Sequence, residues 1–264
     1  MQNSKAQRKK PTYSIDAVDN ALQLLQLLRD LGSVRLKDAA AELKVAPSTA
    51  HRLLAMLVYR GFATQDESKR YLPGPSLGVG PAGIGGTTQL RRIAQPHLEL
   101  LAARLNETVN LMIRVGTQVR FLSTVEGSNI LRIGDRQGTV LPANSASGGK
   151  AILAELDREV LEQLFRTNNA DISGAAIPAA DYPAFLQELD AIRANGFAAN
   201  FEGTEEGVSA LGAAIHDAAG VVVGAISVAI PTTRFRKQFD AGLVQEVFKT
   251  RQALEADLGS AFAG

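Results

Sequence analysis

Residues 34–61, VRLKDAAAELKVAPSTAHRLLAMLVYRG, constrain the fold more than any other stretch of this chain. They predict two short helices around a tight turn. The first covers roughly residues 37–43, and its run Ala39-Ala40-Ala41 lets another helix approach closely. The second starts at Pro47, whose missing N–H would be unpaired at a first helical position anyway. Ala50, Leu53, Leu54, Leu57 and Val58 fall on one face at helical spacing, which leaves Ser48, His51, Arg52 and Ala55 facing out. Gly61 stops the helix. This is a helix-turn-helix pattern, and it makes DNA the first partner to weigh.

The flanks extend the pattern. Ser14 is placed to cap a helix running to about Leu31, with Asp16 and Asp19 favourable in its first turns. Val18, Ala21, Leu22, Leu25 and Leu28 form its apolar stripe, and Gly32 ends it. After Gly61, residues 62–64 and 70–72 predict two short strands around the polar turn 65–69. Three helices and a hairpin make a winged helix, with Lys69 and Arg70 placing charge on the wing.

Charge supports this division. The net charge is only +1, yet residues 1–80 carry +5 and residues 81–264 carry −4. A basic front and a mildly acidic rear fit a nucleic-acid module joined to a second domain. A length of 264 residues also favours two domains. With 45% hydrophobic residues the chain can build ample cores, and with no cysteine it has no disulfide or thiolate chemistry. The start, MQNSKAQRKK, lacks the apolar core of a secretory signal. The longest apolar run, 218–230, is too short for the ~20 residues of a membrane helix. Cytoplasmic placement, with no membrane partner, is the expectation.

Residues 74–86 are rich in Gly and Pro and predict a linker. They contain a literal GxGxxG at Gly78, Gly80 and Gly83. Pro73 and Pro75 before it and Pro81 within it remove the strand and helix that a dinucleotide site needs. Residues 87–105 predict a helix, kinked or divided at Pro96. Strands follow at 109–115, 119–125 and 130–133, helices at 150–165 and 183–195, a hairpin at 208–217 and 221–230, and a last helix at 239–258. Strands bunched with helices at the side give an α+β class.

Catalytic constellations are weak. His51, His97 and His216 are far apart, none in a spacing that makes a metal site with another His or a carboxylate. The stretch NSASGGK, 144–150, lacks P-loop spacing and has Ala151 where a Mg²⁺-binding hydroxyl is required. It is a small-residue turn entering a helix, open to two readings: a carboxylate site at the helix start, or simple loop-to-helix packing. Glu202, Glu205 and Glu206 form an acidic cluster in which Gly203 and Gly207 mark a loop, best read as a solvated turn. No catalytic residue, metal or cofactor is assigned.

The order of motifs carries a family likeness. A winged helix with PSTAHRLL is followed by a helix from Thr87, then LPANSASGGKAILAEL, then NGFAANFEGTEEGVSALGAAIHDAAGVVVGAISVAIP. From about Tyr13 to the end the chain resembles the IclR family of bacterial transcription regulators. The resemblance implies a winged helix-turn-helix domain at 1–79, a linker and linker helix at 80–106, and a GAF-like effector-binding domain at 107–264. It also implies a homodimer built through the N-terminal domains and linker helices, often paired into a tetramer, and a small carboxylate or aromatic acid as effector. Carried over position by position, the ligand site takes Ile130, Ile133, Leu141 and Val208 as its apolar wall. Ser147 and Gly148 offer N–H groups to a carboxylate, and Asn200, Ala210, Ser227 and Ala229 line the remainder. Members that bind very small oxoacids are acidic where Asn200 stands and polar where Ala210 and Ala229 stand. This departure points to a larger or more apolar acid.

The leading reading is therefore a ligand-responsive regulator of double-stranded DNA. Pro47 opens the recognition helix, and Ser48, Thr49, His51 and Arg52 are its expected contacts. Arg35 is expected at the phosphate backbone, and Lys69 and Arg70 at phosphate or in a minor groove. Two such helices in a dimer imply a pseudo-palindromic operator. The alternatives are an enzyme that turns over a small acid in the α+β domain, and a winged helix used only for protein interaction. The first lacks a catalytic constellation. The second sits poorly with outward Arg52, Lys69 and Arg70.

Overall fold

The computed structural model describes residues 13–66, 68–77, 86–166, 170 and 175–262. The chain divides into two compact units, 1–77 and 78–264. Each folds around its own core.

In the first unit, α1 (Asp16–Leu31) ends at Gly32, left-handed at φ 68°, whose N–H caps Leu28 O. Its N-cap position falls on Ile15 with no side-chain cap, so Ser14 does not take the capping place expected of it. The strand β1 (Val34–Arg35) leads into α2 (Leu36–Leu43). Lys44 turns the chain in the left-handed region, and α3 (Pro47–Tyr59) follows with proline in its first turn. The wing is β2 (Ala63–Gln65) and β3 (Arg70–Pro73). β1 adds a third strand that the sequence reading missed, because a two-residue strand has no periodicity to detect. It pairs Val34 with Tyr71 and Arg35 with Arg70. Leu24, Leu28, Val34, Ala39, Leu43, Leu54, Leu57, Val58 and Tyr71 close this core.

The second unit begins with α4 (Gly86–Leu105), which runs unbroken through Pro96. The GxGxxG glycines at Gly78, Gly80 and Gly83 lie outside the described residues. Six strands form one antiparallel sheet: β4 (Thr108–Val115), β5 (Gln118–Val125), β6 (Val140–Pro142), β7 (Ala198–Phe201), β8 (Val208–His216) and β9 (Val222–Pro231), in the order β6-β5-β4-β9-β8-β7. The helices are α5 (Ser147–Ala154), α6 (Arg158–Phe165), α7 (Tyr182–Asn195), α8 (Thr232–Asp240) and α9 (Leu243–Phe262).

The period-two alternation of strands sorts the side chains onto two faces. Val109, Leu111, Leu211, Ala213, Ile226 and Val228 pack with Ala94, Leu98 and Leu101 of α4 and with Val247 and Leu254 of α9. Met112, Ala214 and Ala225 pack on the other face with Ile152 and Leu153 of α5 and Leu189 of α7. The result is α+β, a sheet between helical layers.

Three sequence expectations are corrected here. Residues 130–133 form no strand; they belong to an irregular segment fastened by side chains. The helix expected at 150–165 is two, broken before Asp157, which begins α6 in an extended conformation. The last helix is also two, separated at Gly242, whose φ of 99° no helix admits. Among the described residues no helix is long and apolar enough to cross a membrane.

Candidate functional site

The first unit presents a polar helix face. Burial of Ala50, Leu54, Leu57 and Val58 fixes the rotation of α3. That rotation leaves Pro47, Ser48, Thr49, His51 and Arg52 exposed along the N-terminal half of the helix. On the wing, Asp66 shapes the turn. Its Oδ1 accepts from Arg70 N and Ser68 Oγ, each at 2.8 Å, and these bonds hold its carboxyl below the usual range. Lys69 is left-handed at φ 60° and exposed at the tip. Arg70 is half-buried and donates to Ser33 Oγ. Directly across the β1–β3 pair stands exposed Arg35. Like charges opposite each other in a sheet destabilise it, so this pair has a cost that a phosphate would relieve.

The second unit holds a cavity on the α5 face of the sheet. Its lining includes Asn110 and Met112 of β4, Phe121 of β5, Leu141 of β6 and Ser147 of α5. Asn200 of β7, Val208 and Ala210 of β8, Ser227 and Ala229 of β9, and the loop residues Arg136, Ala146 and Thr204 complete it. Register explains the grouping: Asn200 pairs with Ala210, Ala210 with Ala229, and Ser227 with Asn110. Helix α5 enters over them. No side chain caps it, so the N–H groups of its first turn have no intrahelical partner. Ser147 Oγ lies 3.1 Å from Ser227 Oγ at the cavity floor. A carboxylate is well matched to that helix start and the two hydroxyls. The cavity encloses about 310 Å³ of empty space, part of it open to solvent.

Of the residues expected at a ligand site, Leu141, Ser147, Asn200, Val208, Ala210, Ser227 and Ala229 come together there. Ile130 is fully exposed, and neither it nor Ile133 is among the lining residues. Gly148 lies beside the lining and packs on the sheet, where a Cβ would meet Met112 Sδ at 3.0 Å. Asn110, Met112, Phe121, Arg136, Ala146 and Thr204 escaped the sequence reading. Asn110 had a signal, a lone amide in the apolar run Val109-Asn110-Leu111-Met112-Ile113. Arg136 had none, since only the fold brings its loop to the cavity. Its guanidinium pairs with Glu205, so one member of the supposedly solvated acidic cluster has a basic partner.

The histidines also find carboxylates through the fold. His97 Nε2 is 2.8 Å from Asp257, and His216 Nδ1 is 2.9 Å from Glu255. Among the described residues no group of three or more His, Asp or Glu is arranged to hold a metal.

Comparison with known proteins places both units. Residues 85–256 match the family described as bacterial transcriptional regulator IclR C-terminal, and residues 17–67 match the IclR helix-turn-helix domain. The HTH-type transcriptional regulator BhcR of Paracoccus denitrificans is 33% identical over 226 residues, 83% of this chain and 79% of that protein. The HTH-type transcriptional repressor AllR of Escherichia coli K12 is 26% identical over 249 residues, covering 92% of this chain and 90% of AllR. An IclR homologue from Microbacterium hydrocarbonoxydans, solved in complex with 4-hydroxybenzoate, shares the fold. Its TM-score is 0.56 and its identity 21%, with 92% of this chain and 98% of that one covered.

Proposed function

The chain belongs to the IclR family of bacterial transcriptional regulators, and from that premise we propose that it is a repressor whose operator binding is set by a small organic acid. Its homologues are regulators and not enzymes. One observation carries the reading: the chain pairs a winged helix with an outward polar recognition face and a separate unit with a polar-floored cavity. The second unit is a GAF-like sensor in this reading. The acid's carboxylate sits at the start of α5, against Ser147 and Ser227. Effector and operator are linked because each favours one arrangement of the oligomer.

The effector is larger or more apolar than the smallest oxoacids, since Ala210 and Ala229 offer methyl groups at the wall. Arg136 and Glu205 pair beside the cavity, and Glu205 is 59% exposed, so the ion pair adds only about 0–1 kcal/mol to holding those loops together. A related fold seats 4-hydroxybenzoate, which supports an aromatic acid. Calorimetric titration with aliphatic and aromatic acids tests this, and binding of only the smallest polar oxoacids overturns it.

Assembly follows from α1. Ile15, Val18 and Leu22 are 51–67% exposed at helical spacing, with Tyr13 just before them. Such a stripe is an interface signature and supports a homodimer through the N-terminal units and linker helices, paired further into a dimer of dimers on a pseudo-palindromic operator. In each recognition helix Ser48, Thr49 and His51 contact DNA, Arg52 reaches a guanine edge, and Arg35, Lys69 and Arg70 hold phosphates. Arg52→Ala is expected to weaken operator binding by about 10–100-fold, as loss of one bidentate base contact does. Random-sequence DNA should lose much less. Fluorescence anisotropy on both DNAs at fixed salt measures it, and equal losses would make Arg52 a phosphate contact.

A further inference from the structure

We infer that Asn110 reads a second oxygen of the effector, so that the cavity selects acids bearing a hydroxyl or carbonyl acceptor beside the carboxylate. This rests on the effector reading above. Asn110 is completely buried and lines the cavity from β4. Its Oδ1 accepts from Thr124 Oγ1 at 2.9 Å. Thr124 Oγ1 in turn accepts from Arg136 N at 3.2 Å. The Thr124 hydroxyl thus accepts from the Arg136 amide and gives its proton to Asn110 Oδ1, which leaves the Nδ2 donor on the other side of the amide. Nδ2 is buried and has no hydrogen-bond partner. Native interiors rarely leave such a donor unmade without a use for it.

The neighbours say what it would bind. Asn110 pairs directly with Ser227 across β4 and β9, a spacing of about 5 Å between side-chain roots. Ser227 Oγ reaches Ser147 Oγ at the start of α5. Three polar side chains thus run in a row from the helix N-terminus to β4. A carboxylate at the α5 end directs the next atoms of its own molecule toward Nδ2. The donor is neutral and fixed by Thr124, so it rewards an oxygen acceptor and gives nothing to a bare methylene or ring carbon.

Calorimetric titration of the full-length protein with matched pairs tests the idea: propanoate against lactate and pyruvate, and benzoate against its three hydroxy derivatives. The wild type is expected to favour at least one oxygenated member by about tenfold over its parent acid. Asn110→Leu should reduce that ratio to about one while still binding the parent acid. Thr124→Val removes the same internal hydrogen bond but keeps the Nδ2 donor, now free to turn, and should lower the ratio less than Asn110→Leu does. A purely structural Asn110 would move stability in both variants and the ratio in neither. A wild-type ratio near one in every pair, or an unchanged ratio in Asn110→Leu, overturns the inference and leaves the effector reading standing. Failure of the wild type to bind any acid overturns both.

Discussion

Gly212→Ala is expected to lower the melting temperature of the 78–264 unit by about 6–12 °C and to abolish its response to acids, while operator binding without acid persists. The cause is backbone contact. A Cβ at Gly212 on β8 would lie 2.5 Å from Gly148 N and 2.6 Å from Ser147 C. Neither atom can rotate away, so α5 must rise. The helix has little freedom to do so. Seven of its eight residues are buried, and a Cβ at Gly149 would sit 2.3 Å from Ala143 O, so the helix is also tight against the turn before it. Overpacking costs about 1–3 kcal/mol, and a main-chain clash belongs at the upper end. At about 2–4 °C per kcal/mol for a unit of this size, that gives the stated shift. The same rise separates Ser147 from Ser227, hydrogen-bonded at 3.1 Å, and so dismantles the carboxylate end of the cavity. Gly134→Ala is the control, because nothing lies within 4 Å of a Cβ there; a change within about 0.5 kcal/mol is expected. Differential scanning calorimetry, with gel shifts in the presence and absence of acid, reads both effects. An unchanged melting temperature would mean that α5 is not seated on Gly212.

That close seating explains what was legible in the sequence and what was not. The recognition helix was legible because three local signals agree: Pro47 in the first turn, an apolar stripe through Leu54, and Gly61 at φ 73° beyond the end. The start of α5 was legible as a small-residue turn, and its two readings stayed open because only the fold shows which residues pack and which line the cavity. Gly148 and Gly149 serve packing, and Ser147 faces the cavity. Phe121 was not legible for a different reason. Strict alternation along β5 places Phe121 and Ser123 on one face, yet the register shifts between Leu111 and Met112. Ser123 therefore bonds Gln95 of α4, while Phe121 enters the cavity on the opposite face. A bulge leaves no trace in hydrophobic pattern. Ile130 to Ile133 misled in the reverse direction. Their apolar spacing imitates a strand, but the place beside β5 is taken by β6. The segment is held instead by Thr108 Oγ1 on Ile133 O and by Arg234 on Leu131 O.

Arg234 is for that reason the second position where a single change should have a large effect. It lies in the first turn of α8 and makes a fork with Glu107, Nε to Oε1 and Nη2 to Oε2, both at 2.8 Å. Glu107 is wholly buried, and its hydrogen bonds hold the guanidinium above the usual arginine range. Arg234→Ala leaves that carboxylate buried without a counter-charge. Removing one partner of a fully buried pair costs about 3–5 kcal/mol. The Arg234 side chain is 29% exposed, so water enters after truncation, and about 2–4 kcal/mol is expected here. Arg234→Lys should recover only part, since an ammonium cannot make the fork and also hold Leu131 O at 2.8 Å. The double variant Glu107→Gln/Arg234→Met should lose less than Arg234→Ala alone, because no buried charge is stranded. Urea unfolding of the four proteins gives the comparison. The functional consequence follows the chain: the segment released at Leu131 continues to Arg136, which lines the cavity and pairs with Glu205. Arg234→Ala should therefore weaken acid binding as well as stability, with operator affinity in the absence of acid unchanged. Full acid affinity in that variant would show that the 126–139 segment holds the cavity without Arg234.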